Sequence, residues 1–401
     1  MLFASVCSRW RHLVKRQVTG LSLYKYRVIS CQDLANAVAC FDNLTNLHLG
    51  DCSVEIDDAF LARLASSRPK LKALHVGRRF TPTGCRGKHD LVTEAGLDIN
   101  FQKCTQLEEI SLHCFRKDTE LPNSFFQLQH LHTVFLGYVS IVTLPIFATL
   151  SSLTSLDLDA TGLTYQQLSS LVRIPRLSLL SISNRISIST NDSPAVTFTA
   201  AQLPHLKTLE FTSASPNFAS MFPTGSPCIR LEQLVITNSA NLERLPDDIG
   251  ALLPCLRELT IRDCSEIDQL PDSITCLSAL ECLSILKCRQ LHSLSNNFGE
   301  LPALKSLMLH NLPGLDPPDS HSQATSLETL SLNDCGKMHL PAEFCSLTSL
   351  KTLSLMSFGK IGSELPDWIG WLSNLETLRL IHCKKEQLPP FIHATDFSYK
   401  H

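Results

Sequence analysis

Glycine is scarce, with 16 in 401 residues. That is too few for an enzyme of this size built on phosphate-cradling loops. Charge is thin as well. Charged residues make up 18% and the formal net charge is −3, so no broad field attracts nucleic acid or an acidic membrane surface. No run of 18 apolar residues occurs, and none of the segments reads as a membrane-spanning helix. The opening MLFASVCSRWRHL does not read as a secretory signal, because Arg9, Trp10 and Arg11 interrupt its short apolar run. Catalytic signatures are missing too: GxSxG, HExxH, the kinase set and the dinucleotide fingerprint are all absent. The expected function class is binding rather than catalysis, with no cofactor, no nucleic acid and no membrane as partner.

What the chain has is a repeat. The unit LxxLxL starts at Leu44, Leu71, Leu107, Leu131, Leu153, Leu177 and Leu206, and again at Leu231, Leu256, Leu280, Leu304, Leu327, Leu350 and Leu375. Val18-Leu21-Leu23 is a plausible earlier copy. Successive starts lie 22 to 36 residues apart. Each LxL is a short strand whose alternate residues point inward. One repeat cannot bury its own face, so stacked neighbours supply the core. The expected fold class is therefore α/β: a leucine-rich repeat solenoid of about 14–15 repeats. It is a curved horseshoe with a parallel sheet on the concave face and helices and irregular turns on the convex face. The repeats span 18–388, with loop inserts near 77–90 and 183–199, a helical cap over 1–17 and a tail over 389–401.

The 16 cysteines contain no CxxC pair. Cys52, Cys264, Cys288, Cys335 and Cys383 each follow a strand by three residues, the position where a small inward group serves the backbone of a turn. They are expected to be buried, reduced and free of metal, which suits a cytosolic or nuclear protein. Return segments after residue 231 read LPxxIxxLxxL, as at Leu245-Pro246-Asp247-Asp248-Ile249, Leu270-Pro271-Asp272-Ser273-Ile274 and Leu365-Pro366-Asp367-Trp368-Ile369. Proline ends the strand path, and Asp or Ser is expected to cap a short helical turn. The segment from Ile56 to Leu64 instead carries helical spacing. Helices are thus expected mainly in the first repeats and short turns after residue 231.

Two resemblances follow from these residues. The LPxxI repeats over 231–392 resemble the intracellular plant-type repeats of disease-resistance proteins. The stretch from Ser5 to Leu13, with Cys7, Trp10 and Arg11, resembles the final helix of an F-box, and Leu91–Leu97 followed by Cys104-Thr105-Gln106-Leu107 resembles the cysteine-containing repeats of F-box proteins. The F-box resemblance implies a substrate receptor of an SCF-type ubiquitin ligase. A Skp-type adaptor would be its second partner where the upstream box helices are present. Leu2, Phe3, Val6, Trp10 and Leu13 fall on one helical face, either as the adaptor side or as a cap over the first repeat.

Residues between the strand leucines are expected to face outward on the concave sheet and to hold a protein target. Most are hydroxyls, the default filling of such a surface. The departures are the candidate site. His48 and His75 are cross-strand neighbours, with His113 one pleat along. They suit a pH-sensitive contact surface better than a metal site, since no acid or thiol completes their column. Asp157, Asp159 and Glu210 form an acidic patch for a basic segment of a partner. Phe135, Met308 and Met356 are apolar anchors, and Arg262 and Arg379 add isolated positive charge.

Overall fold

The computed structural model describes residues 16–23, 31–49, 56–76, 92–113, 120–137, 144–159, 171, 173–183, 203–212, 222, 225, 227–239, 242–294, 301–316, 325–335, 342–356 and 367–381. Two compact units divide the chain, Met1–Ile186 and Ser187–His401. Both have the leucine-rich repeat architecture.

In the first unit the strands are β1 (Gly20–Ser22), β2 (Asn46–Leu49), β3 (Ala73–Val76), β4 (Glu109–Leu112), β5 (Thr133–Gly137), β6 (Ser155–Asp159) and β7 (Leu179–Ser183). They pair in chain order, all parallel, with leucine opposite leucine: Leu21, Leu47, Leu74, Ile110, Val134, Leu156 and Leu180 form one continuous inward row. The second unit repeats this with β8 (Thr208–Thr212), β9 (Gln233–Thr237), β10 (Glu258–Arg262), β11 (Cys282–Leu286), β12 (Ser306–His310), β13 (Thr329–Asn333), β14 (Thr352–Met356) and β15 (Thr377–Ile381). Every LxL from Leu47 onward lies on one of these strands, and in the copy at Val18 β1 carries Leu21 while Leu23 follows it directly. The inward residues of β2 to β14 are almost wholly buried, while Leu21 on β1 and Leu378 and Leu380 on β15 are half-buried.

Return segments change style along the chain. Among the described elements three helices of eight or more residues come first: α1 (Cys31–Val38), α2 (Asp58–Ser67) and α3 (Glu94–Lys103). Asp57 caps α2 by accepting the Phe60 N–H at 2.7 Å. Asp58, in the first turn of α2, reaches the next repeat. Its carboxylate accepts the Thr93 N–H at 2.8 Å and the Thr93 hydroxyl at 2.7 Å, so it supplies the cap that Thr93 itself does not provide for α3. Gly96 makes this possible, because a Cβ there would overlap the Asp58 carboxylate. Arg68 does the equivalent work at the other end of α1, donating to the Val38 and Ala39 carbonyls at 3.2 and 2.8 Å.

From Asn123 onward the described returns are short: 3-10 turns at Asn123–Gln127, Leu144–Thr149, Asp272–Cys276, Ala342–Ser346 and Asp367–Trp371, and the four-residue α4 (Ile249–Leu252). The short style therefore begins about a hundred residues before position 231, where the LPxxI pattern points. The reason is aromatic substitution. Phe125 and Phe147 take the place of the motif's isoleucine and lie fully buried. Phe125 meets Phe101 of α3 edge-on at 5.4 Å and Phe147 at 6.0 Å, so one aromatic stack joins the helical style to the short one. In the two LPxxI turns whose caps are described, the expected Asp or Ser cap does not form. Asp248 makes no side-chain cap bond before α4, and Pro271 holds the cap position of its turn with Asp272 already inside.

Strands of the second unit end in a recurrent corner. Asn238, Asp263, Lys287, Asn311 and Asp334 each adopt a positive φ between 51° and 57°. Each corner N–H donates to the strand-end carbonyl of the following repeat, at 2.7–3.0 Å. The ladder thus continues one residue beyond the strand and holds a left-handed conformation that Asn and Asp adopt more readily than other side chains, and that Lys287 adopts here as well.

Candidate functional site

Parallel, in-register pairing turns sequence positions into columns. The middle outward column of the first unit runs Ser22, His48, His75, Ser111, Phe135, Asp157, Ser181, and that of the second runs Glu210, Val235, Thr260, Ser284, Met308, Ser331, Ser354, Arg379. All candidate residues from His48 to Arg379 fall on or beside these columns. Two column members are not contact surface, however: Ser111 and Ser181 are only 2% and 8% exposed.

The His48 and His75 rings lie 4.0 Å apart, tilted by 39°. Glu109 on the next strand brings Oε1 to 3.2 Å from His75 Nε2, a carboxylate that the middle column alone does not reveal. His113 follows β4 and lies over Gly137 of β5, where a Cβ would collide with its Nδ1. The absence of a side chain at Gly137 is what seats that imidazole. Phe135, Asp157 and Asp159 are half-buried on β5 and β6. Among the described residues no group of three or more His, Cys, Asp or Glu is arranged to hold a metal ion.

The second unit presents different chemistry. Met308 is 37% exposed and Arg379 is exposed, while Met356 is half-buried. His310 sits two residues beyond Met308 on the same face, with Nε2 at 2.8 Å from Ser331 Oγ. Burial holds its imidazole below the ordinary value, so it is neutral near pH 7. Arg262 pairs with Asp263 at the corner, at 3.2 Å.

Beside the strands runs a row that single-repeat reading misses. Just before each strand of the second unit stand Lys207, Glu232, Arg257, Glu281, Lys305, Glu328, Lys351 and Glu376, in strict alternation. Lys207–Glu232 lies at 2.9 Å, Arg257–Glu281 at 2.9 Å, Lys305–Glu281 at 2.8 Å and Lys351–Glu328 at 2.8 Å. Hydrogen bonding to Lys305 and Lys351 holds the Glu281 and Glu328 carboxyls below the usual range. Alternation follows from parallel stacking. Any residue at this position meets its own counterpart one repeat away, and like charges would repel.

Cys264, Cys288 and Cys335 are free and buried, as their position after the strand implies. Each thiol points to strand-end carbonyls: Cys264 Sγ to Arg262 O at 3.4 Å, Cys288 Sγ to Leu286 O at 3.6 Å, and Cys335 Sγ to Leu309 O at 3.1 Å. Burial pushes the Cys335 thiol up to about 11. A hydrogen bond shared with Cys264, and then burial, raise Cys288. The hydrogen bond with Cys288 lowers Cys264, but all three thiols are buried away from solvent and act as structural groups rather than nucleophiles. Cys52 and Cys383 lie outside the described residues, as do the cap or adaptor-side residues Leu2, Phe3, Val6, Trp10 and Leu13, both loop inserts apart from Ser183, and the tail.

Among the described residues no helix is long and apolar enough to cross a membrane. No protein-family model matches the chain. A curated relative, Receptor-like protein 6 of Arabidopsis thaliana, is 27% identical over 224 residues, which is 53% of this chain and 20% of that protein. The chain thus spans about a fifth of the length of the curated relative it matches. Among solved structures, a leucine-rich repeat protein of Leptospira interrogans is similar with a TM-score of 0.51 at 18% identity, over 94% of this chain and 81% of that one. The Toll–Spatzle complex of Drosophila gives a TM-score of 0.53 at 16% identity, over 90% of this chain and 47% of that one. These structural likenesses establish the leucine-rich repeat fold.

Proposed function

We propose that this chain is a protein-recognition domain that holds a protein target against the open face of its strands, the side expected to be concave. The observation that carries this is the outward column itself. It is a carpet of hydroxyls interrupted by exposed or half-exposed Phe135, Met308 and Met356 and by unlike charges at separate places. Anchors of this kind, set among small polar groups, are the make-up of an interface rather than of a reaction centre. The Toll–Spatzle complex supports it as an instance of the same fold engaging a protein ligand.

The finer reading is the substrate-recognition component of an SCF-type ubiquitin ligase in the cytoplasm or nucleus. Its support is the resemblance of Ser5–Leu13 to the end of an F-box and the helical, cysteine-containing style of the repeats up to Cys104. The alternative is a non-ligase scaffold or disease-resistance-type recognition protein. The LPxxI repeats and the likeness to a plant receptor-like protein favour that one.

Photo-reactive residues at positions 135 and 308, with a control at exposed Lys103 of α3, test the common reading in the intact protein. Cross-linking of one partner from 135 or 308 and not from 103 is the expected result; the reverse pattern refutes the face. Co-purification of a Skp-type adaptor separates the ligase reading from its alternative.

A further inference from the structure

We propose that the outward face of β11–β15 is a docking strip for an uncharged, extended segment of a protein partner. This rests on the sheet face being the recognition surface and names the chemistry of what lies there.

The first ground is charge. These five strands present fifteen outward positions, and Arg379 is the only Asp, Glu, Lys or Arg among them. The contrast within the chain is sharp, since β4 and β6 alone carry Glu109, Asp157 and Asp159. His310 adds no charge near pH 7, because it is held neutral against Ser331. The flanking row pairs Glu281 with Lys305 and Glu328 with Lys351, so these four charges are spent on one another, and Glu376 closes the row beside β15. Among the outward positions of these strands a charged ligand side chain would give up its water and find a countercharge only at Arg379, on β15.

The second ground is what replaces charge. Met308 stands exposed on β12, with half-buried Leu286 on β11 and half-buried Met356 and Ile381 on β14 and β15. Thioethers flex to fit varied apolar partners. Between them the small hydroxyls, Ser331 and Ser354 in the middle column, both donate and accept. An extended backbone needs both along its length. Four inter-strand steps of about 4.8 Å make the strip roughly 19 Å long, enough for about six extended residues at about 3.3 Å each. The complement is therefore a short, neutral, partly apolar stretch, with an acidic residue accepted only at the end over β15.

Random heptapeptides displayed on phage and selected on the intact protein test this. The expected outcome is enrichment of sequences without net charge and with apolar residues. Their affinity should fall at least tenfold in Met308→Asp, fall less in Met308→Ala, and stay unchanged in Asp157→Asn. Met308 is exposed, so neither change there threatens the core. Enrichment of basic peptides lost in Asp157→Asn would overturn the strip while leaving the sheet face as the recognition surface. Peptides indifferent to both positions, or no enrichment at all, would overturn the strip and count against the face as well.

Discussion

Replacing Phe125 by alanine removes the ring that joins the helical returns to the short ones. Phe125 is fully buried and meets three other rings: Phe101 at 5.4 Å, Phe126 at 5.2 Å and Phe147 at 6.0 Å. A buried Phe→Ala change costs about 3–5 kcal/mol. Edge-to-face pairs are worth about 0.5–1.5 kcal/mol each beyond the buried area, which keeps this site off the low end of that range, at ~4 kcal/mol. Each repeat is held by its neighbours, so the loss concentrates on α3, the turn Asn123–Gln127 and the turn Leu144–Thr149. At about 1.4 kcal/mol per factor of ten, the slowest amides of 94–159 should exchange roughly a thousandfold faster. Native-state hydrogen exchange read by mass spectrometry measures this directly, and 258–381 should keep its protection. Phe125→Leu should recover more than half of the loss. Equal acceleration in 258–381, or none in 94–159, would refute the assignment of Phe125 as the local junction.

Thiol labelling of the native protein should modify exposed Cys40, Cys255 and Cys276 and spare buried Cys264, Cys288 and Cys335 until it unfolds; rapid native labelling of the buried three would contradict their inward position. Glu281→Lys sets a like charge between Arg257 and Lys305 and should lower the melting temperature more at low salt than at high salt, whereas the double change with Lys305→Glu should restore part of the loss. His310 has a folded-state pKa below its ordinary 6.5, so the unfolded chain binds the proton more readily. The stability this contributes is present above pH 6.5 and fades as pH falls through that value. Denaturant titrations of His310→Gln should have a shallower slope from pH 7 to 5, and a slope identical to the parent would sink the attribution. Gly96→Ala should destabilise α3 by displacing the Asp58 carboxylate from Thr93, with circular dichroism melts as the readout.

The LxxLxL spacing makes the strands legible because one physical rule, alternate burial on a parallel sheet, repeats without variation. It places the candidate residues on the outward side for the same reason, and it finds the thiols after the strands. Other features depend on a neighbour. Phe125 and Phe147 hide the LPxxI return because the pattern specifies isoleucine, although any large apolar group fills that pocket. The alternating row from Lys207 to Glu376 is invisible within a repeat, since its sign reverses every 23 to 25 residues and has meaning only when repeats are stacked. Burial of Ser111 follows from what stands on either side of it, His75 and Phe135, rather than from serine. Asp58 looks like the start of its own helix, yet its carboxylate caps the next one.

The central claim is that the open face of the strands does the recognising. Its most direct test is hydrogen exchange on the intact protein with and without a cross-linked or co-purified protein partner, combined with carboxyl and methionine footprinting of the same samples. Protection of Met308, Met356, Asp157 or Asp159 together with strand amides, with α1–α3 and the short return turns unchanged, is the result expected. Protection confined to α1–α3 and the return turns, with those four side chains as reactive as in the free protein, would contradict the account.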